Sequence, residues 1–235
     1  MDPMLRPPIG FAHRGARALA PDNTMEAFRL ALRLGATGIE SDVWLTRDRV
    51  AVLDHDGVVR KGVRRALIAN VDRADLPAHI PTLEELYDRC GADFHLSLDV
   101  KDPAAAPVVI GVAEQAGSDA PSRLWLCHPD WRQAAAWRPL SGAVRLVNST
   151  RLRRIKEGPE RRAADLAAAG VDAINLHATD WSGGLTTLFH RFERFAFGWD
   201  AQFERVLRSL LAMGCDAVYS DYVDRMVDAL EESQL

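Results

Sequence analysis

The chain has 235 residues, nearly half of them apolar, and a formal net charge of −4. That size allows one large α/β domain or two small ones, with a substantial core. Acids and bases are interspersed and the basic residues are almost all arginine (only Lys61, Lys101 and Lys156 are lysines), so no basic block marks a nucleic-acid or anionic-membrane binder.

The first residues, MDPMLRPPIG, lack a charged start followed by an apolar stretch, so no secretory signal is expected. No apolar run reaches the length of a membrane span, so the cytoplasm is the expected location. Strands are predicted over 9–13, 37–43, 93–100, 123–127, 143–147, 171–176, 194–199 and 216–220, with helices between them and after the last. Their hydrophobicity is continuous, as in a parallel sheet covered on both faces. Asn23 with Glu26, and Thr82 with Glu85, have the spacing of a helix N-cap and its return partner. Ala27, Phe28, Ala31 and Leu34 make one apolar stripe.

A phrase recurs: LRLGATGIESD, LAAAGVDAINLH and LAMGCDAVYSD. Each reads as a helix end, a glycine able to take a left-handed cap (Gly35, Gly170, Gly214), a turn and a strand. Eight β-then-α units in the chain, without a break in composition, predict a closed (β/α)8 TIM barrel forming a single domain over 1–235. The alternative is an open doubly wound sheet, which would usually carry a glycine-rich phosphate turn after its first strand; HRGA is not GxGxxG. Residues 58–81 interrupt the alternation and read as a loop insertion over one end of the barrel. Cys90, Cys127 and Cys215 are odd in number and widely spaced, with no CxxC pair, and read as buried free thiols.

In a barrel, chemistry gathers at the C-terminal ends of the strands. The polar residues at those ends are His13 and Arg14, Glu40 and Asp42, His55 and Asp56, and Asp99 and Lys101. Glu40 and Asp42 are two apart on one strand and share a side, as do Asp99 and Lys101. Three carboxylates converging on one mouth repel, which a hard divalent cation, Mg²⁺ or Ca²⁺, relieves. No His/Cys ligand spacing accompanies them, which disfavours zinc. The other reading is an ion-pair cluster in which Arg14 and Lys101 neutralise the acids without a metal. His13 and His55 titrate near neutrality and can serve as general base and general acid. Arg14 and Lys101 suit an anion. Together these groups fit phosphoryl chemistry.

The sequence resembles the glycerophosphodiester phosphodiesterase family. The resemblance lies in His13-Arg14-Gly15, PDNT, AF, GIESDVWLTRD and His55-Asp56, then IPTLEEL, LDVKDP, DAINLH, WDAQ and DAVYSDYVD, across nearly the whole chain. It implies a TIM barrel with His13 and His55 as the acid/base pair. It further implies that Arg14 and Lys101 hold the phosphate, Glu40, Asp42 and Asp99 hold a divalent ion, and Trp199 and Gln202 line the substrate. The implied substrate is a small glycerophosphodiester, such as glycerophosphocholine. The implied products are glycerol 3-phosphate and an alcohol, by way of attack from the substrate's own glycerol hydroxyl. A lipid diester, or binding without catalysis, are the competing readings. The chain departs from the family pattern at Asp22 and Asp99, where glutamate is usual, and at Gln202, where asparagine is. The insertion at 58–81 is abbreviated. His128, Trp131, His177 and Trp181 are weaker strand-end candidates, and His79, His95 and His190 are assigned to structure. Asp221 either supports the site or caps the last helix.

Overall fold

Eight parallel strands close on themselves in the computed structural model, which describes residues 2–61 and 64–234. The strands in chain order are β1 (Ile9–His13), β2 (Gly38–Leu45), β3 (Ala51–Leu53), β4 (Val58–Lys61), β5 (Arg64–Leu67), β6 (His95–Val100), β7 (Leu124–His128), β8 (Arg145–Thr150), β9 (Ala173–His177), β10 (Phe195–Trp199) and β11 (Ala217–Ser220). The helices are α1 (Met25–Arg33), α2 (Leu83–Cys90), α3 (Ala106–Ala116), α4 (Trp131–Ala136), α5 (Pro159–Ala168), α6 (Gly183–Arg191), α7 (Glu204–Ala212) and α8 (Val223–Glu232). β1 pairs in parallel with both β2 and β11, closing the ring in the order β1-β2-β6-β7-β8-β9-β10-β11. β3 is an antiparallel addition to the outer end of β2.

Alternation along each strand sorts the side chains into two cores. The larger lies between strands and helices and contains Ile39, Val43, Leu96, Leu98, Ile174 and Leu176 with the helix faces. The smaller fills the barrel interior: Ile9, Phe11, Trp125, Cys127, Val147, Ala173, Phe197, Ala217 and Tyr219. Phe11 stacks on Tyr219 at 4.6 Å, and Trp125 meets Phe197 edge-on at 4.9 Å. These rings plug the barrel from below. Toward the C-terminal ends of the ring strands the inward positions are His13, Glu40, Asp42, Asp99, Ser149, Asn175 and Trp199, and there the interior becomes polar and opens.

Gly35, Gly170 and Gly214 all take the left-handed φ that the recurring phrase requires. Thr82 and Glu85 form a complete capping box on α2. At α1 the expected cap is displaced by one residue. Thr24 caps the helix by accepting from the Ala27 amide, and Asn23 turns inward instead, its Oδ1 accepting from the Ser41 hydroxyl at 2.7 Å. A tertiary partner within reach outweighs the local cap.

Residues 58–81 form the β4–β5 hairpin and two short 3₁₀ turns, with residues 62 and 63 outside the described set. Val52, Val59, Ile68, Val71, Leu76 and Ile80 make a small apolar cluster against Trp44 and Val50. The segment is therefore pinned beyond the C-terminal end of β2. Its entry passes close to the Trp44 indole at Gly57, where φ is +67° and a Cβ would lie 2.5 Å from the ring. Among the described residues no helix is long and apolar enough to cross a membrane.

Candidate active site

A cavity of about 330 Å³ opens at the C-terminal end of the barrel. It is lined by His13, Arg14, Glu40, Asp42, His55, Asp99, Lys101, Trp199 and Gln202, whereas Asp56 and the weaker candidates His128, Trp131, His177 and Trp181 do not line it. Ser97, Cys127, Ser149, Asn175, Asp200 and Tyr219 complete the lining. Strand alternation could have indicated Ser97, Ser149 and Asn175, each of which lies on an inward-facing parity.

His13 ends β1 with its Nδ1 2.6 Å from Asp221 Oδ1 and its Nε2 3.8 Å from Glu40 Oε2. Burial works against protonation of this imidazole. The charge of Glu40 and the hydrogen bond and charge of Asp221 outweigh it and raise the pKa above the ordinary value. Burial pushes the Asp221 carboxyl up, but the His13 hydrogen bond and charge, with Arg17, bring it below the usual range. Asp221 does not cap α8, whose N-cap is Tyr222 with no side-chain cap bond. Asp221 is itself anchored: its amide donates to Gln202 Oε1 at 2.9 Å, and Gln202 Nε2 donates to Asp200 at 3.1 Å. The polar atoms of Gln202 are thus engaged within the protein while its side chain lines the wall. His55 sits nearer the rim, with its side chain 44% exposed and its Nδ1 2.8 Å from Asp56.

Arg14 takes φ +53° between β1 and the following turn, and this conformation aims its amide at Glu40 Oε2, 3.0 Å away. Gly15 follows at φ +78°, where a Cβ would sit 2.7 Å from the Ala27 backbone. The HRG turn therefore requires glycine at its third position. Arg14 Nη1 donates to Asp22 at 3.1 Å, and its buried Nε, 3.6 Å from Asp42, has no hydrogen-bond partner among the described residues. Such a donor is suited to an anion entering the cavity. Asp42 and Asp99 are register partners on β2 and β6, and Lys101 Nζ lies 2.9 Å from Asp42 and 2.5 Å from Asp99. Burial disfavours the Lys101 charge, but these two carboxylates raise its pKa well above the ordinary value. Glu40 is held well above the carboxylate range by burial first, with His13 opposing and Asp42 and Asp99 adding.

Among the described residues no group of three or more His, Cys, Asp or Glu side chains is placed to hold a metal ion. The donor chemistry of Glu40, Asp42 and Asp99 nonetheless fits a hard cation: they offer only carboxylate oxygens, and Glu40 suffers from the charge of its neighbours. Lys101 now occupies the position of the compensating charge, so an ion there would have to take Asp42 and Asp99 from it.

The weaker candidates separate. His177 braces the site wall, bonding Asp200 Oδ2 at 3.0 Å and standing edge-on to Trp199 at 4.6 Å. Trp181 is packed, its Nε1 donating to Phe197 O, and Trp131 lies beside Arg132 and Arg162 outside the cavity. His128 accepts from the Asp130 amide. His190 is tied to Asp216 at 2.8 Å, and His95 Nδ1 accepts from Trp125 Nε1 at 3.3 Å, both away from the cavity. His79 is exposed on the loop before α2.

The fold and this mouth define a TIM barrel with paired imidazoles, fixed cations and grouped acids at its C-terminal face. The chain belongs to the glycerophosphoryl diester phosphodiesterase family, whose model matches residues 13–225. It is 30% identical over 245 residues to "Probable glycerophosphodiester phosphodiesterase 2" of Mycobacterium tuberculosis, covering 94% of this chain and 90% of that one. Among solved structures, the Oleispira antarctica phosphodiesterase in complex with the product sn-glycerol-3-phosphate superposes with a TM-score of 0.80 at 20% identity, covering 95% of this chain and 97% of that one. The glycerophosphodiester phosphodiesterase of Thermotoga maritima gives a TM-score of 0.79 at 20% identity, covering 94% and 97%. The two structural likenesses bear on the fold.

Proposed function

We propose that this chain hydrolyses a small glycerophosphodiester to glycerol 3-phosphate and a free alcohol. The observation that carries the reading is convergence: two imidazoles, two cations and three carboxylates from β1, β2, β6 and the loop after β3 line one cavity. Arg14 and Lys101 hold the phosphate oxygens. Glu40, Asp42 and Asp99 would hold Mg²⁺ or Ca²⁺, which when bound would supply neutralising charge to the phosphoryl group. His13, deeper and fixed through Nδ1 by Asp221, takes a proton at Nε2 from the glycerol hydroxyl, and that hydroxyl attacks phosphorus. His55, at the rim, protonates the departing alcohol. Water then opens the cyclic ester with the proton movements reversed. The product named for the Oleispira antarctica complex supports this assignment of substrate. Release of glycerol 3-phosphate from glycerophosphocholine with Mg²⁺ or Ca²⁺ is the test. His13→Ala and His55→Ala are each expected to lose at least about 10²-fold in rate. Absence of product with any divalent ion across several head groups would overturn the reading.

A specific observation also favours a lipid diester as an alternative substrate. Leu19, Leu67, Phe203 and Tyr222 are exposed, on the loops after β1, β10 and β11 and on β5. Arg225 links two of those loops, lying 4.0 Å over the Tyr222 ring and donating to Gln202 O. Exposed apolar side chains around a mouth suit an acyl chain or its aggregate. Turnover of lysophosphatidylcholine against glycerophosphocholine decides between the two.

A further inference from the structure

We infer that Asn175, with Ser149, forms the subsite for the terminal free hydroxyl of the substrate's glycerol half; this rests on the proposed function. Ser149 and Asn175 are register partners on β8 and β9, and both line the cavity. Asn175 is only 5% exposed. Its Nδ2 approaches Ser149 Oγ at 3.4 Å, and among the described residues nothing donates to its Oδ1. Turning the amide over exchanges the two ends and leaves an unpaired NH₂ in place of the unpaired oxygen. Either way, one end of a buried amide in the cavity wall has no partner. A buried polar group without a partner is a standing cost to the folded state, retained where a ligand can complete it.

The other polar groups at that depth satisfy one another. Ser97 Oγ lies 3.0 Å from Tyr219 OH and 3.3 Å from Cys127 Sγ. The Asn175–Ser149 pair therefore keeps hydrogen-bonding capacity that they have already used. Its position also fits. In the ring order β9 lies four strands from β2, so the pair faces Glu40 and Asp42 across the barrel. With the phosphate on Arg14 and Lys101 and the attacking hydroxyl next to phosphorus, the remaining glycerol hydroxyl is one carbon further on, toward the opposite wall. A hydroxyl both donates and accepts, and so matches an amide and a serine together. The glycerol half then points inward and the leaving alcohol lies toward the rim, beside His55. Acylating the glycerol end would leave Asn175 unpaired, so this subsite selects free glycerol over an acylated one.

The test is calorimetric binding of glycerol 3-phosphate and of 2-hydroxypropyl phosphate, which lacks only the terminal hydroxyl. The wild-type protein is expected to bind the second about 10- to 100-fold more weakly, the usual consequence of one unmade buried hydrogen bond. In Asn175→Leu the difference should collapse, with a melting temperature equal to or above that of the wild type, because an unpaired amide has been removed. Ser149→Ala should narrow the difference without abolishing it. Equal wild-type binding of the two phosphates, or equal weakening of both in Asn175→Leu and Ser149→Ala, would overturn the inference alone. Failure of the wild-type protein to bind glycerol 3-phosphate would overturn the proposed function with it.

Discussion

Asp221→Asn isolates the contact that most directly controls His13. The carboxylate oxygen lies 2.6 Å from His13 Nδ1, and Asp221 does not line the cavity. The substitution keeps the shape and removes the charge. Taking about 4 Å between charge centres and an effective dielectric near 20, the attraction in the protonated pair is about 4 kcal/mol. Solvent reaches both groups, at 29% and 24% exposure of their side chains. That trims the effect on the transition state to roughly 2–3 kcal/mol, or about 30- to 150-fold in rate. The expected result is a loss of that order in kcat with little change in KM. Removing Asp221's charge also removes a cause of the raised His13 pKa. The acidic limb of the kcat profile should accordingly move to lower pH. The assay is glycerol 3-phosphate release from pH 5 to 9, with the melting temperature followed in parallel. An unchanged kcat, or a loss confined to KM, would refute the role given to this pair.

Chelation of divalent ions is expected to abolish turnover and re-addition of Mg²⁺ or Ca²⁺ to restore it; full activity in the chelated protein would favour the ion-pair cluster in which Lys101 serves the acids. Gly15→Ala places a Cβ against the Ala27 backbone at a left-handed φ, so a loss of at least about 2 kcal/mol in denaturant unfolding is expected, and wild-type stability would refute the turn geometry. His95 is lowered to about 4 by burial and by Arg123, so between pH 6.5 and 4 the unfolded chain takes a proton that the folded protein refuses. Its contribution is therefore fully present above pH 6.5 and is lost as the pH falls, by about 2 kcal/mol at pH 5. Comparing wild type with His95→Asn at pH 7 and pH 5 isolates that slope, and parallel curves would refute it.

Much of the site could be read from the chain because it depends on short-range geometry. Glu40 with Asp42, and Asp99 with Lys101, share a side on any β-strand, since alternation is a property of two residues. The glycines of the recurring phrase announce their turns because a left-handed φ is a local demand. The strand predicted over 143–147 runs instead from Arg145 to Thr150. Asn148, Ser149 and Thr150 looked like the end of a strand because they are polar, yet they belong to it, and Ser149 faces the cavity. Asn23 looked like a cap because its better partner, Ser41, was 18 residues away.

What the chain by itself determined is which residues could act and which of them shared a face. What only the tertiary structure decided is who meets whom across the ring. Asp221 reaches His13 from 208 residues away. Gln202 is turned toward Asp221, and Asn175 is set opposite Ser149 with one polar end unmet. These contacts follow from the register of each strand against its neighbour and from the closure of β1 on β11. Register is a joint property of two distant segments, so neither segment carries it alone.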